Sequence, residues 1–488
     1  MPHLPRWSAL ALLLLLAACG GGAEPGGSTT AATTVSTVPG ATTSTTVGTV
    51  PGTTTSTPPT GETVLPDPYF PDLGNAGFDV DHYTITVTVD ESLATFTTAT
   101  TVIEATATAD LATFSLDLLG MTIDALQVDD AAATFERRGD EVTVTPAAPV
   151  PAGEAFTISV EYHGAPSTVG VDSIGINAGW TVVGDAAYVF AEPNAAHTWF
   201  PGSDHPSDKA SFDIIATVPA GLTAVANGEL VSTTESAALT TFSWEMDEPM
   251  ATYLAVLVVG RYDRVEQPGP AGVELRDYLP AGTPVPASFR LVPEMLDLFA
   301  SWFGPFPFTE YGHVVVPEFP AAMETQTMTM MGAGFDAEEV VAHELVHQWF
   351  GDSVTPATWQ DIWLNEGFAT FGEFLWLEEK HGSAFMEGYV DNLHTMLAGQ
   401  DLRPIADPGI AELFGLGVYW RGGLTLHALR REVGDATMRA ILTTWHDRYR
   451  YGNAATADFI AVAEEVSERD LGEFFEAWLG GGELPPLP

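Results

Sequence analysis

The sequence predicts a multidomain β plus α/β fold, in which an antiparallel β domain precedes a mainly helical domain with a short β region. From about Phe78 to Gly260, apolar and polar residues alternate with the period of two that is typical of strands. After Tyr262 helical patterns prevail. One of them contains residues 343–347, His-Glu-Leu-Val-His, without a proline. Two histidines four positions apart share one helix face, so they can bind one metal ion.

The first 18 residues are typical of a bacterial lipoprotein signal peptide. Arg6 precedes an apolar run, residues 9–18, that is too short to remain as a membrane-spanning helix. The run ends in Leu-Ala-Ala-Cys-Gly, which resembles a lipobox, so we expect Cys19 to carry the lipid and to begin the mature chain. The alternative is an ordinary secretion signal. The sequence therefore predicts an extracytoplasmic protein that is anchored by a lipid to a bacterial cell membrane.

Residues 19–63 follow as a predicted disordered linker. They consist mainly of Thr, Gly, Pro, Ser, Ala and Val with almost no charge, a composition that cannot bury a core. We assign residues 64–261 to the β domain, where 82–89 and 113–118 are the clearest strands. Residues 262–488 form the predicted catalytic domain, which opens with an apolar helix from about 287 to 303.

The composition excludes some partners and some chemistries. Asp and Glu number 65 against 17 Lys and Arg, which gives a formal charge of −48. Such a surface repels nucleic acids, so none is expected as a partner. Cys19 is the single cysteine, which excludes an intramolecular disulfide and leaves no thiolate for catalysis or for a zinc site.

The helical motif predicts a site for one zinc ion with three protein ligands. His343 and His347 supply two imidazole nitrogens, and Glu344 is rotated away from the metal, where it can hold a water. Glu366 lies in the first turns of a second predicted helix, residues 361–381, and can point back at the first. Two imidazoles and one carboxylate with an open fourth position are the ligands of a hydrolytic zinc site.

Several stretches resemble the gluzincin aminopeptidases, the family that contains aminopeptidase N and leukotriene hydrolase. They occur in the family's order, at residues 192–206, 250–254, 321–325, 343–351, 363–369 and 418–423. The resemblance implies a β saddle domain followed by a thermolysin-like catalytic domain. It also implies a short form without the large carboxy-terminal helical domain of many relatives, and so a more open cleft.

The resemblance implies further site residues. Tyr419 would donate a hydrogen bond to the oxyanion of the reacting carbonyl, and Glu344 would act as general base and then general acid. Glu324 and Glu192 would bind the α-ammonium group of the substrate. Met323 and Ala322 belong to the same substrate-binding loop.

That loop departs from the family pattern Gly-x-Met-Glu-Asn. Ala321 and Thr325 stand where the family has Gly and Asn, so we expect a change in side-chain preference and a slightly different loop path.

Three hypotheses follow. The first is an extracellular zinc metallopeptidase that removes amino-terminal residues from peptides, with Glu344 as general base. The second is a zinc endopeptidase, or another hydrolase with an open cleft, which the altered loop favours. The third is a surface lipoprotein that binds peptides without cleaving them, which the complete catalytic set disfavours.

Overall fold

The computed structural model describes residues 65–400 and 402–488. The predicted signal peptide, Cys19 and the linker lie outside the described residues. Up to Gly260 the described chain is built almost entirely of strands. In chain order they are β1 (Phe78–Val89), β2 (Phe96–Ala107), β3 (Phe114–Asp117), β4 (Thr122–Val128), β5 (Ala131–Ala132), β6 (Thr134–Arg138), β7 (Glu141–Thr145), β8 (Ala155–Gly164), β9 (Thr168–Val171), β10 (Ile176–Val183), β11 (Ala186–Phe190), β12 (Ala210–Pro219), β13 (Thr223–Ala226), β14 (Glu229–Glu235), β15 (Leu239–Met250) and β16 (Leu257–Gly260).

These strands form three sheets. The largest has the order β14-β15-β12-β1-β2-β8-β4-β5, and the others are β13-β16-β11-β10-β9 and β3-β7-β6. In the large sheet the alternation of the sequence becomes an alternation of burial, because successive side chains of β1 point to opposite faces. The β domain is antiparallel as predicted except for one pair of the large sheet, since β1 and β12 run parallel. A parallel pair needs a long crossover, which local periodicity does not reveal.

The second half contains a mixed sheet, a pair of short parallel strands and the helices. Its strands are β17 (Tyr262–Pro268), β18 (Glu274–Pro280), β19 (Glu310–Val316), β20 (Ala322–Met323), β21 (Thr329–Gly332), β22 (Thr355–Pro356) and β23 (Asn453–Ala454). Its α-helices are α1 (Val292–Phe303), α2 (Glu338–His347), α3 (Trp363–His381), α4 (Ser383–Leu397), α5 (Gly422–Val433), α6 (Asp435–Tyr449), α7 (Thr456–Ser467) and α8 (Gly472–Leu479). The mixed sheet has the order β17-β18-β19-β21-β20. The predicted fold class, a β domain followed by a mainly helical domain, is therefore confirmed.

Both helices of the predicted metal site are present, and the second starts two residues later than predicted. The first ends at His347, because the chain turns there: the amides of Asp352 and Ser353 donate to the carbonyls of His347 and Gln348 (3.0 and 3.2 Å). The second begins at Trp363 after a single 3-10 turn.

Buried aromatic side chains support this region. Trp349, which follows α2, contacts Phe306 and Phe303 edge-on at 5.0 and 5.8 Å between ring centroids. Across the two halves, the ring of Tyr253 contacts Trp359 at 4.9 Å. The metal-site helices are thus fixed from the helical side and from the β side. Within the described residues, no helix combines the length and the apolar character that a membrane span requires.

Candidate metal centre and active site

The predicted ligands converge on one point between α2 and α3. Nε2 of His343 lies 3.2 Å from Oε2 of Glu366, and Nε2 of His347 lies 3.4 Å from the same oxygen. All three side chains are buried, with 9% exposure or less. Ligand atoms that surround a tetrahedral ion at about 2.0–2.1 Å lie about 3.3 Å apart, so these spacings fit zinc.

The outer nitrogens of both imidazoles are held by other groups. Nδ1 of His343 lies 2.7 Å from Oε1 of Glu373, and Nδ1 of His347 lies 3.2 Å from the carbonyl oxygen of Phe350. Each acceptor receives the hydrogen bond from Nδ1, so Nε2 faces Glu366 and is the nitrogen available to a metal ion. The donor set therefore fits a zinc ion held by His343, His347 and Glu366.

Glycine allows the two helices to approach. A Cβ atom on Gly372 of α3 would lie 2.4 Å from a methyl carbon of Val346 on α2. Likewise, a Cβ on Gly367 would lie 2.8 Å from the Cα of Gly422, where α3 crosses the start of α5. Because glycine has no side chain, α3 can approach α2 closely enough to place Glu366 near the histidines. For the same reason the segment before α5 can lie over the site.

Tyr419 lies in that segment, a π-helical turn from Gly417 to Arg421. Its ring is nearly parallel to that of His343, at 5.9 Å between centroids. Arg421 is buried and anchors the turn, because its guanidinium donates to the carbonyls of Trp478 and Ala477 (2.6 and 3.0 Å). The structure therefore places Tyr419 beside the metal ligands, and π-turns of this kind are frequent at functional sites.

Two more of the predicted site carboxylates, Glu192 and Glu324, lie beside the metal ligands. Carboxylate oxygens of Glu192, Glu324 and Glu366 all lie within 4.8 Å of one another, and the same limit holds for ligand atoms of Glu324, Glu344 and His347. Glu192 comes from the end of β11 and Glu324 from the loop after β20. Oε1 of Glu192 and Oε1 of Glu324 are buried and have no hydrogen-bond partner within the described part of the chain.

Burial and mutual repulsion determine the protonation of these acids. Burial raises the pKa of Glu192 well above its usual range, and the neighbouring Glu324 raises it further. Burial also raises the pKa of Glu344 to about 7. Burial would raise the pKa of Glu366 too, but the adjacent imidazoles hold it at about 2. A cation that binds in this site is therefore stabilised by several buried acidic groups at once.

Gln348 ties the predicted substrate-binding loop, which follows β20, to the end of α2. Its amide nitrogen donates to the carbonyl of Glu324 at 3.0 Å, and its oxygen accepts from the amide of Thr327 at 2.8 Å. The hydroxyl of Thr325, which stands where the family has Asn, donates to the carbonyl of Met328. Ala321 has an ordinary negative φ, so the loop does not need glycine there. Met323 is buried and Ala322 is partly exposed.

Sequence reasoning missed three supporting residues. Glu373 lies seven positions after Glu366, on the same face of α3, so helical spacing could have identified it. Lys209 and Asp352 carried no such signal. Nζ of Lys209 donates to the backbone carbonyls of Asp352 and Ser353 at 2.6 and 3.0 Å, which ties the β domain to the turn after α2.

Other motif residues support the structure away from the metal. Asp204 accepts from the amide of His197 (3.1 Å), contacts Nδ1 of that histidine (2.7 Å) and accepts from the hydroxyl of Thr252 (3.0 Å). This buried network joins the segment after Glu192 to the end of the β domain.

The same two domains occur in the same order in known proteins. A family model described as the peptidase M1 N-terminal domain matches residues 79–254, and one for the peptidase family M1 domain matches 288–478. Aminopeptidase M1 of Arabidopsis thaliana is 31% identical over 316 residues, 59% of this chain and 36% of that protein. Aminopeptidase N of Streptomyces lividans is 28% identical over 333 residues, 61% and 38% of the two chains. The chain spans a little over a third of these curated relatives.

Solved structures match over more of their length. A variant of the M1 zinc metallopeptidase from Deinococcus radiodurans, bound to the substrate Tyr-Ser-Ala, has a TM-score of 0.82 and 33% identity. The match covers 86% of this chain and 98% of that one. A structure described as a two-domain M1 zinc metallopeptidase bound to L-tryptophan has a TM-score of 0.81, 32% identity, and coverage of 86% and 99%.

Fold and site together define the class. A β domain precedes a helical domain in which a buried His-Glu-x-x-His helix meets a downstream glutamate, and this arrangement is that of the zinc metallopeptidases called gluzincins. The chain belongs to peptidase family M1. The predicted family resemblance is therefore confirmed.

Proposed function

We propose that this protein is a zinc aminopeptidase that removes single amino-terminal residues from peptides. The observation that carries the proposal is the convergence of Glu192 and Glu324 on the metal ligands, each with a buried oxygen that accepts no hydrogen bond from the described residues. An unpaired buried carboxylate is unfavourable, and the α-ammonium group of a peptide supplies both the charge and the N–H donors that it lacks. Because oxygens of both carboxylates lie within 4.8 Å of an oxygen of Glu366, an amine held there brings the first peptide bond next to the metal site.

The chain's own groups supply the remaining chemistry. Zinc, when bound, acts as a Lewis acid that polarises the scissile carbonyl and lowers the pKa of water towards neutrality. We assign to Glu344 the removal of a proton from the attacking water and its delivery to the leaving amine, because Glu344 lies beside the metal ligands without being one of them. Tyr419 donates to the oxygen of the scissile carbonyl as negative charge develops there. Glu373 and the carbonyl of Phe350 keep both imidazoles oriented.

Two comparisons test this proposal with the purified protein. The first sets peptides with a free amino terminus against the same peptides acetylated at that end; only the free peptides should be cleaved, and one residue at a time. The second sets the wild type against Glu344→Gln and against chelated enzyme. We expect Glu344→Gln to lower kcat by about 10²–10⁴ with zinc retained, because it removes the general base.

The alternatives predict other outcomes. Equal cleavage of acetylated peptides would mean that Glu192 and Glu324 do not bind the amine, and would support the endopeptidase. Full zinc occupancy without hydrolysis of any peptide would support the non-catalytic binding protein.

We also propose that the protein works outside the cytoplasm, held to the membrane by a lipid on Cys19. The lipobox-like sequence supports this proposal. Cells that express the protein should incorporate labelled palmitate into it, and Cys19→Ser should remove the label and release the protein from the membrane fraction. Label that persists in Cys19→Ser would contradict the proposal.

A further inference from the structure

The strand that carries the substrate-binding loop has a free edge. β20 is the last strand of its sheet and pairs only with β21 among the described residues, with Ala322 opposite Met331. The amide of Gly332 donates to the carbonyl of Ala321 at 2.8 Å. In an antiparallel pair, the groups that bond to the partner alternate along the strand. The N–H and C=O of Ala322 therefore face away from β21, where an added strand can bind them.

The direction of a peptide on this edge follows from the proposed function, on which the inference rests. The substrate's ammonium group lies at Glu324, at the carboxyl end of β20. A peptide that starts there and follows the edge must run back past Ala322 towards Pro320, antiparallel to β20. At about 3.3 Å per residue, Pro320 lies up to about 13 Å from Glu324, so the third and fourth substrate residues reach it.

A cavity opens at that point. It has a volume of about 490 Å³ and lies between the segment 318–320 and strands β10 and β11 of the β domain. The buried ring of Phe319 contacts the rings of Tyr188 and Phe190 at 5.3 and 5.6 Å, which fixes the segment against β11. Thr181 and Val183 line the wall on β10. This volume is typical of ligand sites.

The charge in the lining of this cavity is negative only. Glu318 lies in its lining and is exposed, and no Lys, Arg or His is among the lining residues. Within the described residues Glu318 has no ion-pair partner. The salt bridges of this part of the chain are formed by other acidic residues. Its carboxylate is therefore free to pair with a cation that enters the cavity.

We propose that this cavity binds the third and fourth residues of the peptide substrate, and that Glu318 selects a basic side chain there. The apolar part of the wall, which includes Val182, Val183 and Pro320, accepts the methylene stem of lysine or arginine while the charged end reaches Glu318. The site lies beyond the reacting bond, so it affects longer peptides and leaves one-residue substrates unchanged.

The test compares the peptides Leu-Ala-Lys-Ala and Leu-Ala-Glu-Ala with leucine 4-nitroanilide, which ends before the cavity. In the wild type, kcat/KM for the lysine peptide should exceed that for the glutamate peptide about fivefold, the effect of a surface ion pair of about 1 kcal/mol. Glu318→Gln should remove the preference and Glu318→Lys should reverse it, with hydrolysis of the nitroanilide unchanged. Glu161→Lys, an equal charge change on an exposed position of β8, should preserve the preference.

The failures are distinguishable. If the nitroanilide is cleaved but the peptide preference is absent, or is the same in Glu318→Lys and wild type, the cavity does not bind the substrate and the aminopeptidase proposal stands. If neither the nitroanilide nor any peptide is cleaved, the aminopeptidase proposal fails and the inference fails with it. Glu318→Gln preserves size and backbone preference, so it gives an answer even if Glu318→Lys does not fold.

Discussion

At the scale of single residues, the site shows how a carboxylate outside the ligand set controls a metal ligand. Glu373 accepts from His343 at 2.7 Å and fixes which nitrogen faces the metal. The interaction is stronger than a hydrogen bond between neutral groups, because the acceptor is an ionisable carboxylate.

We predict that Glu373→Gln weakens zinc binding by about 10- to 100-fold, the usual effect of losing such a partner. Zinc affinity measured by competition with a chelator checks this. The matched control is Glu379→Gln, an exposed position on the same helix, which should leave the affinity unchanged. An unchanged affinity in Glu373→Gln would show that the packing around His343 orients the ring without it.

The role proposed for Tyr419 depends on its hydroxyl group, which would act in the transition state. We predict that Tyr419→Phe lowers kcat by about 10²–10³, since it removes one donor to the developing oxyanion, and leaves KM nearly unchanged. The ring and its stacking on His343 remain in this variant, so zinc content should stay at the wild-type level. Steady-state kinetics with metal analysis check this; a raised KM with unchanged kcat would assign Tyr419 to substrate binding instead.

At the scale of elements, the site depends on how closely α2 and α3 approach. The relevant contact is between Gly372 and Val346, where no Cβ atom fits. A helix usually loses stability from an internal glycine, so this one is explained by the approach of its neighbour.

We predict that Gly372→Ala destabilises the protein by about 1–3 kcal/mol, because the new methyl group overpacks the interface. It should also weaken zinc binding, since α3 carries Glu366. The double variant with Val346→Ala should recover most of the loss, as the smaller side chain makes room. Thermal unfolding and zinc titration check both effects.

Gly388→Ala on α4 is the control, because a Cβ there meets nothing within 4 Å. It should be neutral or stabilising by about 0.5–1 kcal/mol. Equal destabilisation in both variants would show that the interface between α2 and α3 has no special constraint.

At the scale of the whole molecule, the dominant physical feature is the formal charge of −48. Unbalanced charge of one sign destabilises a compact state through self-repulsion, and salt screens it. The Debye length falls from about 30 Å at 0.01 M to about 3 Å at 1 M salt.

We predict that the unfolding temperature rises steadily as NaCl increases over this range. Thermal unfolding in NaCl and in sucrose of matched osmolality separates screening from exclusion of the solute, because sucrose leaves the charges unscreened. A transition that falls with NaCl would show that attractive ion pairs, such as the one between Arg430 and Glu378, outweigh the repulsion.

Local sequence patterns predicted the β domain and the metal-binding helix. The period of two predicted the β domain, and the spacing of His343 and His347 on one helix predicted a shared metal, because both patterns depend only on how neighbouring side chains are directed. Short motifs that resemble a known family predicted that Glu324, Glu192 and Tyr419 are site residues.

Only the tertiary structure decided what lies around the metal. The parallel pairing of β1 with β12, the contact of Lys209 with the turn after α2, and the cavity beside Glu318 join segments that are far apart in sequence. No periodicity encodes such contacts, because they depend on how whole sheets and helices pack. The sequence by itself therefore determined the metal ligands and the order of the domains. Packing decided how Glu192 and Glu324 come to lie beside those ligands and where a cavity opens against the β domain.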